Sequence, residues 1–280
     1  MHSGPDTPVL SDTTAFTGHV WVQEVPTAGQ FRFQVAPSGY ITFATPDATY
    51  HAVETVPSGY RRAAATINTR LDRQAFQDAT DTPDQVTFVG LAPRYEGIDY
   101  DWDTVPAFLG TDIQTDTDGI LAPDTATTVY TRLNIPTPPA IEKETPADYA
   151  DPDQYTTGDG FPASEWRDGS AFEVLIRDKA GNRARAQHPA VHDTASDPDS
   201  QTGTPAELAA EYATKNRITR ISETLSTGQE SPTVDAIRDH LIATIARREY
   251  AHLHRDNDLV VPRREFEAAI AERIQRHQHQ

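Results

Sequence analysis

Apolar and polar residues alternate over Val20-Trp-Val-Gln-Glu-Val25 and again over Phe31-Arg-Phe-Gln-Val35. That period of two is what a strand with one buried face requires. Ala36-Pro-Ser-Gly39 is a tight-turn sequence and Tyr40-Ile-Thr-Phe43 returns from it, so a hairpin is expected there. The Ala- and Arg-rich run 59–79 places Ile67, Leu71 and Phe76 at helical spacing. Gln85–Gly90 and Phe108–Ile113 read as strands flanking an irregular aromatic loop. From Asn134 to Phe161 Pro, Asp and Thr dominate and periodicity is lost, which predicts loop. Phe172–Arg177 reads as a strand that turns at Asp178-Lys-Ala-Gly181 and returns from Asn182 to Gln187. The polar run 192–204 reads as a linker.

Helical signals follow. Thr204-Pro-Ala-Glu207 is a capping box with Pro at the first helical position. Ser231-Pro232 opens a helix with Ile237, Leu241 and Ile245 on one face, and Pro262 opens another with Phe266, Ile270 and Ile274. The chain therefore reads as α+β: antiparallel sheets with flanking helices, then a small all-helical C-terminal domain. The expected boundaries are a tail at 1–17, a main domain at 18–190 with a loop-rich insertion at 134–168, a linker at 191–203 and a helical domain at 204–280.

Charge sharpens this division. The chain has 42 acidic and 24 basic residues, a formal balance of −18. Residues 205–280 carry 12 acidic and 11 basic side chains, so nearly all the excess lies in the first 204. Among the basic residues only Lys143, Lys179 and Lys215 are lysines. Acid-rich, lysine-poor composition suits a very salty cytoplasm, where hydrated carboxylates keep a protein soluble and short screening lengths blunt self-repulsion. An acidic protein that avoids nucleic acid or binds cations is the other reading. Without cysteine there is no disulfide, thiolate zinc site or cysteine nucleophile. No apolar run approaches the ~18 residues that span a bilayer. The N-terminal residues lack the basic start and apolar stretch of a signal peptide, so a soluble intracellular protein with no membrane partner is expected.

Several segments, in order, carry a resemblance. Glu24-Val-Pro-Thr-Ala-Gly-Gln-Phe31 is similar to a Glu-Lys-x-Asp/His-Gly-x-Asn-Phe motif. Phe88-Val-Gly-Leu91, Tyr100-Asp-Trp-Asp103 and Pro106–Ile113 look like a strand, aromatic loop and strand around a third motif. Glu173–Arg177 with Gly181-Asn-Arg-Ala-Arg185 resembles a fourth motif and the basic strand after it. Over roughly residues 18–190 the chain thus resembles the nucleotidyltransferase domain of ATP-dependent RNA ligases. The resemblance implies that fold. For an active member it also implies ATP and magnesium as cofactors and a lysyl-adenylate intermediate.

This sequence departs from the pattern where the chemistry is done. Val25 stands where the nucleophilic lysine belongs, and no lysine precedes Lys143. Thr27 and Ala28 replace the Asp/His and Gly, Thr45-Pro46 a Ser-Arg pair, and Leu91 the Glu of the third motif. Phe172 precedes Glu173 where Glu-Gly is expected. Arg183 and Arg185 hold the spacing of two phosphate-binding lysines, keeping charge but not nucleophilicity. No catalytic residue is therefore assigned. A degenerate ligase homologue that retains a nucleotide or an RNA end as partner is the first reading. The alternatives are an active nucleotidyltransferase forming a lysyl-AMP intermediate, with the motif in another register or Lys179 reaching the cleft, and a structural or interaction module with a filled cleft.

The candidate binding residues are Glu24, Gln30, Arg32, Glu173, Arg177, Arg183 and Arg185. Each has a plainer role. Glu24 could face solvent, Gln30 could be a surface residue, Arg32 could lie on a cleft floor or open surface, and the Arg strip could pair internally with nearby Asp. His252, His254, Asp256 and Asp258 offer metal-ligand chemistry without a defined fourth ligand, and no metal site is assigned. Asp99–Asp103 reads as a structural loop anchored by Tyr100 and Trp102 rather than a cation site. His277 and His279 lie in a terminal run expected to fray.

Overall fold

A computed structural model describes the chain except residues 2–3, 12–14, 118, 156, 191–202, 227–230, 256–257 and 280. Most of the expected linker lies outside the described residues. The chain divides into two compact units, Met1–Val56 with Ala63–Ser196, and Pro57–Arg62 with Asp197–Gln280.

The first unit is built on two antiparallel sheets. Strands β1 (His19–Glu24), β2 (Ala28–Val35), β3 (Ile41–Ala44) and β4 (Thr49–Tyr50) come first. Helices α1 (Ser58–Arg70) and α2 (Arg73–Ala79) follow, the first turn of α1 belonging to the second unit. Then come β5 (Val86–Pro93), β6 (Leu109–Thr115), β7 (Gly119–Ile120), α3 (Pro123–Arg132), β8 (Ala140–Pro146), β9 (Glu173–Asp178) and β10 (Arg183–Gln187). One sheet has the order β4-β3-β2-β5-β6-β7 and the other β10-β9-β1-β8. The hairpin expected at 31–43 is β2–β3, closed at Val35↔Ile41. Gly181, at φ 91°, supplies the left-handed turn between β9 and β10 that a Cβ would strain.

Three expectations need correction. The helical run 59–79 is two helices. Asp72 interrupts it, its carboxylate accepting from Ala75 N at 2.9 Å to cap α2. The stretch 134–161 is not all loop, because β8 pairs with β1. Most of the β8 side chains are exposed, so an edge strand here has no apolar alternation to betray it. The segment 1–17 is not simply a tail. Pro8 O accepts from Arg185 N at 2.9 Å and Leu10 N donates to Arg185 O at 2.8 Å, adding a parallel bridge to the β10 edge.

Aromatic residues fill the interior beside the six-stranded sheet. Phe33 stacks on Phe88 at 4.6 Å and Phe31 on Phe43 at 5.8 Å. Gly110 leaves room for the Tyr130 ring, which a Cβ would approach to 2.5 Å. Across the other sheet, Val20, Val22, Val174, Ile176 and Ala186 share one buried face with Tyr155 and Phe161. The alternate residues of β9 and β10 consequently face the other way.

The second unit holds α4 (Pro205–Tyr212), α5 (Lys215–Leu225), α6 (Val234–Arg248), α7 (Tyr250–Leu253) and α8 (Arg263–Gln278). Thr204 and Glu207 form the expected capping box on α4. Ile237, Leu241, Ile245, Phe266, Ile270 and Ile274 lie in one apolar cluster. The unit is not all-helical: β11 (His254–Arg255) pairs with β12 (Asp258–Leu259) between α7 and α8. His254 is buried, with Ser58 Oγ 2.8 Å from its Nε2. Among the described residues no His, Asp and Glu side chains group as a metal site. No described helix is long and apolar enough to cross a membrane.

Candidate functional site

The two sheets of the first unit enclose a cleft of about 550 Å³. Leu175 and Glu173 of β9 and Arg183, Arg185 and Gln187 of β10 form one wall. Their even spacing places them opposite the Val174, Ile176 and Ala186 face. The facing wall comes from Ala28 and Gln30 of β2, Val89 to Leu91 of β5, and Thr111 and Asp112 of β6. A register shift between β5 and β6 leaves Thr111 as an extra residue, since Val89 pairs with Asp112 and Gly90 with Gly110. Such a bulge lets the consecutive residues Thr111 and Asp112 both line the cleft. Val25 and Pro26, between β1 and β2, complete an apolar shelf with Leu91 and Leu175.

Asp112 is the electrostatic centre. Its side chain is 2% exposed and accepts a bidentate pair from Arg183, at 2.8 and 2.5 Å. Arg177 Nη1 donates to the same carboxylate at 2.8 Å and also to Thr111 O, and Nη2 donates to Gln23 Oε1. Burial by itself raises the Asp112 carboxyl, but the charges and hydrogen bonds of Arg177 and Arg183 outweigh it and hold the group well below the usual carboxylate range. Nothing in the sequence pattern marked this aspartate. Its role depends on meeting two arginines from the other sheet.

Eight of the sequence-selected positions meet in the cleft: Val25, Thr27, Ala28, Gln30, Leu91, Glu173, Arg183 and Arg185. Glu173 accepts from Gln187 Nε2 at 2.8 Å, and burial pushes its carboxyl above the ordinary value against that hydrogen bond and the Arg185 charge. Arg185 is half-buried, and its Nε is enclosed without a hydrogen-bond partner. Gln30 donates to Pro5 O at 3.4 Å, and Pro5, Asp6 and Thr7 form part of the cleft lining.

The other selected residues are used elsewhere. Glu24 is 1% exposed rather than solvent-facing, and it accepts from Ser164 Oγ and from Glu165 N at 2.7 Å. Burial raises its carboxyl against those bonds. Arg32 is buried and donates to Thr45 O at 2.6 Å. Arg177 is spent within the Asp112 cluster, the internal pairing that stood as its plainer role. Pro46 is exposed outside the cleft. Phe172 packs beneath Arg167, whose guanidinium carbon is 4.1 Å from the ring centroid. Tyr100 and Trp102 anchor their loop edge-to-face at 5.5 Å, with the Tyr100 hydroxyl accepting from Thr27 N at 3.3 Å.

No lysine is among the lining residues. Lys143 lies over the Trp21 ring at 5.6 Å. Lys179, half exposed, contacts Glu144 at 2.7 Å and Asp124 at 3.3 Å. Of the lining hydroxyls, Thr27 donates to Arg94 O at 2.9 Å and Thr111 to Val89 O at 3.2 Å. The lining has four carboxylates, Asp6, Glu96, Asp112 and Glu173, against two guanidiniums, one of them tied to Asp112. That set does not fit a magnesium-bound triphosphate, which needs several uncommitted cations and a metal-holding carboxylate group.

No protein-family model and no curated protein matches the chain. Solved structures to which it is similar are ATP-dependent RNA and DNA ligases. An archaeal ATP-dependent RNA ligase aligns with 99% of this chain at 14% identity and a TM-score of 0.48. A second form of that ligase covers 90% at 15% identity and 0.47. An RNA ligase from Naegleria gruberi, solved with PPi, covers 63% at 12% identity and 0.40. The chain spans 65% and 64% of the lengths of the two archaeal ligase structures and 51% of the Naegleria one.

Proposed function

We propose that this chain has a ligase-like nucleotidyltransferase fold, is catalytically degenerate, and binds a nucleotide or an RNA end in the cleft between its two sheets. The observation that carries this reading is the convergence of Val25, Leu91, Glu173, Arg183 and Arg185, drawn from separate motif-like segments, on one open cleft. Adenylyl transfer needs a nucleophile that can form a labile phosphorus bond. Valine supplies none, and the neighbouring threonine hydroxyls are engaged by backbone carbonyls. What remains is recognition: Val25, Pro26 and Leu91 offer an apolar shelf to a base, the amide oxygens of Gln30 and Gln187 offer acceptors, and Arg185 offers a cation to a single phosphate.

Labelled ATP with magnesium or manganese in molar KCl should leave no covalent adduct on the protein. AMP or a 5′-phosphorylated RNA oligonucleotide should raise the melting temperature, and Arg185→Gln should reduce that rise. A stoichiometric adduct would overturn the degenerate reading, and no thermal shift with any nucleotide or RNA end would overturn the binding role.

A second reading, an interaction module whose cleft is occupied by its own chain, is favoured by one observation. Pro5, Asp6 and Thr7 line the cleft and Gln30 is already bonded to Pro5 O. It predicts that deleting residues 1–11 creates nucleotide binding that the full chain lacks.

A further inference from the structure

The second unit carries a pocket whose chemistry is opposite to that of the chain as a whole. It is lined by Ala213, Lys215, Ile218, Arg273, Arg276 and His277 and has a volume of about 150 Å³. Four of these six side chains are basic or imidazole and none is acidic, in a protein with a formal charge of −18. Three come from the last two turns of α8, where i, i+3 and i+4 spacing sets Arg273, Arg276 and His277 on one side. Lys215 is the first residue of α5, whose N-cap Thr214 accepts from Arg217 N, so the positive end of that helix dipole adds to the same field.

The polar groups around this pocket are specific in what they leave open. Arg273 Nε is fixed by Ala213 O at 3.1 Å. Arg276 pairs with Glu272 at 3.2 Å, an exposed pair of the kind that contributes little. His277 Nε2 lies 3.0 Å from Thr219 Oγ1, while its Nδ1 is buried with no hydrogen-bond partner. With the Thr219 hydroxyl donating to Nε2, Nδ1 carries the proton and is a donor awaiting an acceptor. An anion in the pocket is an acceptor that would satisfy such a buried donor.

We infer that this pocket is an anion site that receives a single phosphate group through Lys215, Arg273, Arg276 and His277. At about 150 Å³ it is well below the ~300 Å³ at which pockets begin to hold a nucleoside-sized ligand. Its ligand is therefore inorganic phosphate or one phosphodiester of a nucleic-acid strand, with the rest of that strand outside. The site is separate from the cleft and does not depend on the function proposed for it.

The test uses the full chain and calorimetric titration in low chloride, with inorganic phosphate in one arm and an RNA 12-mer lacking terminal phosphates in the other. Binding in the first arm alone identifies the free ion, and binding in the second identifies the phosphodiester. Lys215→Gln combined with Arg276→Gln should weaken whichever binds by at least about tenfold and, in the RNA arm, reduce the salt slope by no more than about 0.7, the share of one phosphate on a single strand. The exposed pair Arg70→Gln with Arg132→Gln is the charge-matched control and should weaken it far less. His277→Asn, read separately, should also weaken binding while leaving the circular dichroism of the protein unchanged. Failure of the wild-type chain to bind either probe overturns the site, as does equal weakening in the two charge-removal pairs.

Discussion

In the first unit a carboxylate 2% exposed sits between two guanidiniums, whereas the central cluster of the second is Leu241, Ile245, Phe266, Ile270 and Ile274 with their neighbours. Both units bury arginines, Arg61 and Arg247 in the second, but the strongly acidic part of the chain is the one that closes two of them on a single buried carboxylate. Two sheets facing each other present side chains in fixed rows, so a carboxylate on β6 and arginines on β9 and β10 meet only in one register. Buried ion clusters add little net stability but penalise every arrangement that leaves a charge alone. A helical cluster tolerates small shifts of apolar contact and has no equivalent check. The buried ion cluster of the first unit therefore bears on specificity, while the apolar packing present in both units bears on stability.

The sharpest way to break this comparison is Asp112→Ala, which leaves Arg177 and Arg183 buried together without their acceptor. It should cost about 3–5 kcal/mol. Trp21, Trp102 and Trp166 are the three tryptophans of the chain and all lie in the first unit, so tryptophan emission during urea unfolding reads this directly. Ile270→Ala should cost about 2–5 kcal/mol through the cavity it opens, read by far-ultraviolet circular dichroism, with a smaller change in the tryptophan transition.

Acid should separate the units in the opposite order from what their surface charges suggest. His240 is held down to about 4 by burial first and by the Arg62 guanidinium second. Its folded value lies below its unfolded one, so the second unit loses stability as pH falls from about 6.5 towards 4. Partial exposure of the ring limits that loss to about 1 kcal/mol. In the first unit the depressed Asp112 keeps its contribution down to the ordinary carboxylate range and loses it only below. Glu24 and Glu173, raised by burial, favour the folded state as pH falls towards their own values. Helical signal should therefore weaken with acid before tryptophan emission shifts, and His240→Gln should flatten the helical response. The smallest expected effect is at the α4 cap, where Thr204→Ala removes the hydroxyl that accepts from Glu207 N, at about 1 kcal/mol.

Elements whose signals are local were legible before any coordinates. The β2–β3 hairpin, the capping box at Thr204 and the apolar spacing of α6 and α8 each follow from residues within a few positions of one another. Helix α3 went unread because Thr dominates it, with Ala126 and Tyr130 supplying its buried contacts. Strand β8 was hidden by its exposed side chains. Within the cleft, residues selected by position in motif-like segments did meet, but Glu24, Arg32 and Arg177 did not join them. Alternation states that a residue faces away from its neighbours. It does not state whether a second sheet, a loop such as 164–165, or a ligand lies on that side.

By itself the sequence determined the strands and helices with strong periodicity, the asymmetry of charge and the position of every lysine. The absence of a lysine from the first 142 residues follows from the chain alone. Tertiary structure decided which arginines are free to bind. Arg183 and Arg185 are two positions apart on one strand and both line the cleft, yet Arg183 gives both its terminal nitrogens to Asp112, while Arg185 makes no such ion pair among the described residues. The partner that makes the difference comes from another sheet, 71 residues away, and only packing brings it within reach.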